Sequence, residues 1–274
     1  MRVNDRYWGK MMKRTIYTFW TGGWDSTFRL IQLQKEHNEE LLSIQPIYVS
    51  GDGRKSESKE IETMKKLTMM IREIGPNELR NLKIIDKSTI PADAEITDAF
   101  EKMRKIVKIG TQYEWLARLA KEYPGIEIGI EKPNGEYSGC IKAIEDTGKL
   151  IIKGNTYIID KNNSNDICRL LFGNLSFPIC NITEIDMVKA IHEWKCEDIM
   201  SNIWFCHKPF NDEPCGYCRP CQQKMECNME WLIPEEGKKR YRFYKNFTNV
   251  LNNQIGDKAA KVLLQLDRYL VHSH

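Results

Sequence analysis

The chain has 274 residues, with 41 Lys and Arg against 38 Asp and Glu and a formal net charge of +3. Apolar residues make up 41% and charged residues 29%, a globular balance that excludes a disordered chain and leaves length for one large domain or two modest ones. So even a charge does not describe a dedicated nucleic-acid binder, and no apolar run approaches the ~20 residues of a membrane helix, so no membrane contact is expected.

Residues 1–13 carry Arg2, Arg6, Lys10 and Lys13 without the continuous apolar stretch of a secretory signal, so a cytoplasmic protein is expected. Residues 15–20 are β-branched and aromatic and precede Gly22-Gly23, which predicts a strand; 26–34, with Phe28, Leu30, Ile31 and Leu33 apolar, reads as the following helix. An apolar run at 42–49 predicts a second strand. It is followed by a polar loop at 50–56 and a helix through Ile61, Met64, Leu67, Met70 and Ile71. A third strand is expected at 82–86, a helix at 112–123 with Trp115, Leu116, Leu119 and Ala120 on one face, and a fourth strand at 126–130. This alternation predicts an α/β fold built on a Rossmann-like open parallel sheet, whose ligands lie beyond the carboxyl ends of its strands.

Residues 149–159 alternate around Gly154-Asn155 and predict an inserted β-hairpin. Thr183 and Asp186 form a capping-box pattern, and Ile185, Val188 and Ile191 continue the helix it opens. Two terminal helices are expected at 238–252 and 257–271. The run 238–245 interleaves basic and aromatic residues; stacked bases are one reading, and an amphipathic helix with its aromatics inward is the favoured one. His192 reads as a packed or surface residue.

Thr21-Gly22-Gly23-Trp24-Asp25-Ser26-Thr27 sits between strand and helix. As a plain turn it would need only its glycines, with Ser26 or Asp25 capping the helix. As a polyphosphate site it gives every residue type a part to play. Glycines admit phosphate oxygens to the backbone, helix N-terminal amides face the anion, and hydroxyls of Thr21, Ser26 and Thr27 donate to it. Asp25 would repel phosphate unless it held a bridging Mg²⁺.

Nine cysteines are present, four of them in the pattern Cys206-x8-Cys215-x2-Cys218-x2-Cys221. Four thiolates at this spacing can wrap one Zn²⁺ tetrahedrally, with no open position for catalysis, so the metal would be structural. His207 and Cys227 are the substitute ligands. Pro209, Pro214 and Pro220 are expected to disfavour regular structure around the cluster. An iron–sulfur cluster is the second reading, although Cys227 falls outside the ferredoxin spacing. Cys140, Cys168, Cys180 and Cys196 read as free buried cysteines.

The glycine loop resembles the Ser-Gly-Gly-x-Asp-Ser fingerprint of the PP-loop ATP pyrophosphatases, or adenine nucleotide alpha hydrolase-like proteins, with Thr21 where that family has Ser. Trp204-Phe205-Cys206-His207 and Pro214-Cys215-Gly216-Tyr217-Cys218-Arg219-Pro220-Cys221 are similar to the tail of the 7-cyano-7-deazaguanine synthases of queuosine biosynthesis, one branch of that superfamily. Thr183-Glu184-Ile185-Asp186 resembles the helix start before that tail. Tyr137-Ser138-Gly139-Cys140 looks like a loosened Ser-Gly-Tyr-x-Asp-Cys loop. Gly53-Arg54 is similar to Gly-Gln-Arg-His, with Gln missing and Lys55 where His would be. The resemblance spans about two thirds of the chain.

It implies a PP-loop ATP-binding domain at 1–205 with the hairpin at about 149–160, a zinc-binding segment with a four-cysteine knuckle at 206–232, and C-terminal helices at 233–274. It also implies a ligase: a deazaguanine carboxylate is adenylated with release of pyrophosphate, ammonia displaces AMP, and a second ATP dehydrates the amide to a nitrile. ATP would lie on Thr21, Gly22, Gly23, Trp24, Asp25, Ser26 and Thr27, with Asp25 and Ser26 catalytic. Arg54, Lys55, Ser138 and Gly139 would face phosphate or substrate, exposed loop charge being the equal reading for Arg54 and Lys55. Cofactors would be structural Zn²⁺ and Mg²⁺ with ATP; partners would be a deazapurine carboxylate and ammonia or an amine, with a homodimer as the candidate assembly. Three rivals stand beside this: a diverged relative joining the carboxylate to an amine on a protein or nucleic acid, a tRNA-thiolating enzyme, and a non-catalytic zinc-stabilised binding module.

Overall fold

A computed structural model of the chain describes residues 14–36, 40–54, 56–132 and 139–255. The chain divides into two compact units, Met1–Trp204 and Phe205–His274.

In the first unit β1 (Thr15–Phe19) leads into α1 (Trp24–Lys35), β2 (Ser43–Ser50), α2 (Glu57–Arg72), the short β3 (Glu78–Leu79) and β4 (Lys83–Asp86). The chain continues through α3 (Ala94–Ile106), α4 (Gln112–Glu122), β5 (Ile126–Ile128) and α5 (Cys140–Thr147) to the hairpin β6 (Leu150–Lys153) and β7 (Thr156–Ile159). It closes with α6 (Asp166–Phe172), β8 (Leu175–Ser176), α7 (Glu184–Glu193) and α8 (Glu197–Met200).

Among the described residues six strands form one sheet in which every pairing is parallel. β2 lies beside β1 from Thr15↔Ser43 to Phe19↔Ile47, β5 flanks the other side of β1, and β8 lies beyond β5. β3 and β4 share the far edge of β2, one opposite Ser43 and Ile44, the other opposite Ile47 to Ser50. The chain therefore moves outward from β1 to β4 and then returns to the opposite flank of β1. In open sheets of this kind, ligands bind where strand order reverses, which here is at the carboxyl ends of β1 and β5.

Successive strand residues point to opposite faces, and on β2 both faces are buried. Ile47 and Val49 enter the cluster built by Ile96, Phe100 and Met103 of α3 and Trp115, Leu116 and Leu119 of α4. Tyr48, between them, turns its hydroxyl to Glu60 of α2. Helices on both faces are what a parallel sheet of β-branched strands requires. Between α1 and the sheet, Arg29 and Glu127 of β5 form a buried bidentate pair at 2.8 and 2.9 Å.

The hairpin forms around Gly154-Asn155 as the pattern predicts, and Thr183 and Asp186 make a reciprocal capping box at the start of α7. α3, α5, α6 and α8 are helices beyond those the sequence pattern predicts. α3 has Asp93 accepting from the amides of Glu95 and Ile96, and buries Ile96, Ala99, Phe100 and Met103 on one stripe.

The second unit holds α9 (Arg219–Glu226) and α10 (Glu235–Ile255). α9 corrects the expectation that prolines keep this region irregular. Pro220 lies in the first turn of the helix, where a missing N–H leaves no bond unmade. α10 covers the helix expected at 238–252, but its aromatics divide. Tyr241 is buried, whereas Phe243 and Phe247 are 74% and 46% exposed and stack on each other at 6.3 Å. The inward reading thus holds for Tyr241 alone of these three, because residues at 243 and 247 lie one turn apart on the helix's outer face. The helix expected at 257–271 lies outside the described residues. Among the described residues no helix is long and apolar enough to cross a membrane.

Candidate functional site

The glycine loop leaves the carboxyl end of β1, at the point where strand order reverses. Trp20 continues the ladder, its amide donating to the Ile47 carbonyl at 2.8 Å. Gly22 then turns with φ of 71°, a left-handed conformation that glycine adopts without strain. Its missing side chain matters as well, since a Cβ there would lie 3.1 Å from Met64 Cγ and 3.4 Å from Thr63 Cγ2 of α2. Gly23 is the N-cap of α1, and no side chain caps that end. The N-cap position is thus held by Gly23 and not by Ser26 or Asp25. The first turn of a helix leaves main-chain N–H groups without intrahelical partners, at the positive end of the helix dipole.

The side chains of this turn have different surroundings. The Ser26 hydroxyl is buried and accepts the Thr21 amide at 3.5 Å, closing the loop on the helix. Thr21 and Asp25 are half-buried on the loop's rim, and Trp24 is buried. Thr27 is fully buried, and its oxygen accepts the Trp20 indole N–H at 2.9 Å, so its hydroxyl serves the core beneath the loop.

Two residues outside the loop shape the site. Gly129, just past β5 and not singled out from the sequence, has no room for a side chain: a Cβ would lie 2.9 Å from Ser26 N and 3.1 Å from Asp25 C. The end of β5 is thus pressed against the backbone that starts α1. Its signal in the sequence is a lone glycine inside a strand pattern, which marks close backbone approach. Trp204 donates its main-chain N–H to the Gly22 carbonyl at 3.0 Å, and the Lys59 ammonium lies 5.8 Å from its ring.

Arg54, on the loop after β2, is partly buried and committed to carboxylates. Its guanidinium lies 3.3 Å from Glu60 and 3.9 Å from Asp52, and Asp52 also receives Lys87 at 2.5 Å. Glu60 accepts from Tyr48 at 2.8 Å and from Ser56 at 2.7 Å, and burial together with this carboxylate pushes the Tyr48 phenol well up. Arg54 is therefore a clamped cation and not a loose loop charge. Gly139 caps α5 with φ of 108°, and nothing lies within 4 Å of where its Cβ would be. Lys55, Tyr137 and Ser138 fall outside the described residues.

In the second unit, Cys206, Cys215, Cys218 and Cys221 are all buried and unbridged, with their sulfurs within 4.8 Å of one another. Three of the separations are 3.9 Å (Cys206–Cys218), 3.8 Å (Cys215–Cys221) and 3.4 Å (Cys218–Cys221). A tetrahedral ion with Zn–S bonds of about 2.3 Å sets sulfur–sulfur edges of about 3.8 Å. The cage has the dimensions of a four-cysteine metal site. The Cys215 amide donates to Cys206 Sγ and the Cys218 amide to Cys215 Sγ, both at 3.3 Å, which favours charge on those sulfurs. Hydrogen bonding among the four thiols lowers Cys215 and Cys218 and raises Cys206 and Cys221, so the sulfurs share protons as one group. His207 is exposed and Cys227 half-buried, and neither belongs to the group of four. Arg240 of α10 donates to the Cys215 carbonyl at 2.9 Å, tying the helix to the knuckle.

Cys140, Cys168, Cys180 and Cys196 are buried. His192 is exposed, with Nδ1 2.6 Å from Glu197. No protein-family model matches the chain, and no curated protein matches it. Two arrangements stand out by their own geometry: the glycine-lined N-terminus of α1, and four buried sulfurs spaced to hold a metal ion.

Proposed function

We propose that the chain belongs to the class of ATP-consuming enzymes that use a PP-loop to split the nucleotide between its α and β phosphates. Within that class we read it as a ligase similar to the 7-cyano-7-deazaguanine synthases, activating the carboxylate of a deazaguanine-type substrate. The observation that carries the reading is the glycine loop's position at the reversal of strand order, with Gly22 in a left-handed turn and Gly129 stripped of bulk beneath the first turn of α1.

Helix-start amides aimed at a developing negative charge are the donors this reaction needs. As the substrate carboxylate attacks the α-phosphorus and the bond to pyrophosphate breaks, charge grows on the departing oxygens. The N-terminus of α1 would receive it, with Thr21 and Ser26 holding the cradle closed. Asp25 would hold Mg²⁺, which supplies neutralisation of phosphate charge when bound. Ammonia would then displace AMP to give an amide and a proton; the amide oxygen would be adenylated by a second ATP with release of pyrophosphate, and loss of AMP and a proton would leave the nitrile. No side-chain nucleophile is required. Cys206, Cys215, Cys218 and Cys221 would hold one Zn²⁺, whose contribution is folding free energy.

A second reading keeps the adenylation and gives the acyl group to an amine on a protein or nucleic acid. It is favoured by Arg54, whose pairing with Glu60 and Asp52 removes it as a ready partner for a small substrate's carboxylate. One experiment separates them: the protein is incubated with ATP, Mg²⁺ and 7-carboxy-7-deazaguanine, with and without ammonia, and AMP, pyrophosphate and product mass are measured. Nitrile supports the first reading, and a stable amide or macromolecular adduct the second. Absence of pyrophosphate with every carboxylate offered rejects both.

A further inference from the structure

The hairpin β6–β7 is held on one side and open on the other. Phe177 donates its amide to the Tyr157 carbonyl at 2.9 Å, so β7 faces the body of its unit, and among the described residues β6 pairs with β7 alone. The register opposes Leu150 to Ile159, Ile151 to Ile158, Ile152 to Tyr157 and Lys153 to Thr156, and the Asp160 amide reaches the Lys149 carbonyl at 2.8 Å. Opposed residues in an antiparallel pair alternate between bonded and non-bonded. With Lys149 bonded, Ile151 and Lys153 are bonded to β7 as well, and the N–H and C=O groups of Leu150 and Ile152 point outward along the open edge. Ile151 and Ile152 are 40% and 68% exposed. They project to opposite faces, so an added strand would find apolar cover on both. Lys149 and Lys153, both exposed, bracket the edge.

We propose that β6 is a docking edge for an extended segment of a partner protein, apolar at its centre and acidic at its ends, which joins the hairpin as a third strand. Charge selects this occupant over a second copy of the chain. The self-pairing that engages both outward residues, Leu150 and Ile152, would set lysine against lysine at each end, whereas Asp or Glu on a partner meets both lysines. The proposal needs no nucleotide and stands apart from the reading of the glycine loop.

The test uses the full chain and the probe peptide acetyl-Glu-Glu-Val-Thr-Val-Thr-Glu-Glu-amide, with amide hydrogen exchange read residue by residue. At saturating peptide, exchange at Leu150 and Ile152 should slow by about tenfold or more while Ile151 and Lys153 stay unchanged, and the same peptide with lysines for glutamates should have no effect. Ile152→Thr should weaken the response, and Ile152→Pro, which removes an outward N–H, should abolish it. Three results would overturn the proposal: no slowing at millimolar peptide, equal slowing by the lysine version, or Leu150 and Ile152 amides already protected without peptide, whether or not that protection grows with protein concentration.

Discussion

Replacing Gly129 with alanine perturbs the glycine loop without altering any residue in it. The new Cβ would lie 2.9 Å from Ser26 N, 3.0 Å from Ser26 Cα and 3.1 Å from Asp25 C. Carbon contacts are comfortable at about 3.5 Å or more, so roughly half an ångström must be found, and the atoms in the way are backbone that cannot rotate aside. Overpacking of this kind costs about 1–3 kcal/mol, which in a unit of this size lowers Tm by roughly 2–12 °C. The functional effect should be separate. Hydrogen bonds to a charged group are worth about 1.5–3 kcal/mol each, so displacing the amides of Asp25 and Ser26 should weaken ATP binding by about tenfold or more. Calorimetric titration with a non-hydrolysable ATP and Mg²⁺ reads affinity, and a thermal melt reads stability. Ile96→Val, in the core of α3, should lose about 0.5–1.5 kcal/mol yet bind nucleotide as the parent does. If Gly129→Ala melts earlier but binds ATP with unchanged affinity, the packing under the loop has no bearing on a phosphate site.

The purified protein should hold one zinc per chain, and Cys218→Ser should lose it while Cys168→Ser keeps it; elemental analysis and the thiolate bands of a cobalt-loaded sample check this, and equal retention by both variants would contradict the cage. Glu127→Gln strands the Arg29 guanidinium in the core and should cost about 3–5 kcal/mol, with the double change Arg29→Met and Glu127→Leu recovering most of it in denaturant titrations. Burial raises the thiols of Cys168 and Cys196 and pushes Cys180 up to about 11. The unfolded chain releases such protons from about pH 8.5, whereas the folded chain retains them. Their stabilising contribution is therefore full below that pH and is lost as pH rises toward the folded value. Tm should decline more steeply above pH 8.5 in the parent than in Cys180→Ala, and equal slopes would count against the assignment.

What the sequence disclosed follows from how local each feature is. The glycine loop, the hairpin turn at Gly154-Asn155, the capping box at Thr183 and Asp186, and the Cys206 to Cys221 cluster are short-range patterns, and each forms a matching local feature in the fold. α3 shows that a visible pattern can pass unread, since Asp93 and the stripe Ile96, Ala99, Phe100 and Met103 are as regular as any helix signal in the chain. Short elements such as β8 have too few residues to show a period. The pairing of Arg29 with Glu127, the contact of Gly129 with Ser26 and the clamp on Arg54 depend on which strands become neighbours. Periodicity reports a face, but not the element opposite it. Phe243 and Phe247 make the same point in reverse, because helical spacing groups them on one stripe without saying which way that stripe faces.

The central claim is that residues 21–27 cradle the phosphates of ATP. A crystal structure with an α,β-non-hydrolysable ATP analogue and Mg²⁺ tests it most directly. The account predicts phosphate oxygens at about 3 Å from the main-chain amides between Gly23 and Ser26, with the metal ion beside Asp25. A nucleotide bound elsewhere on the chain, with the loop and its amides unengaged, would contradict it.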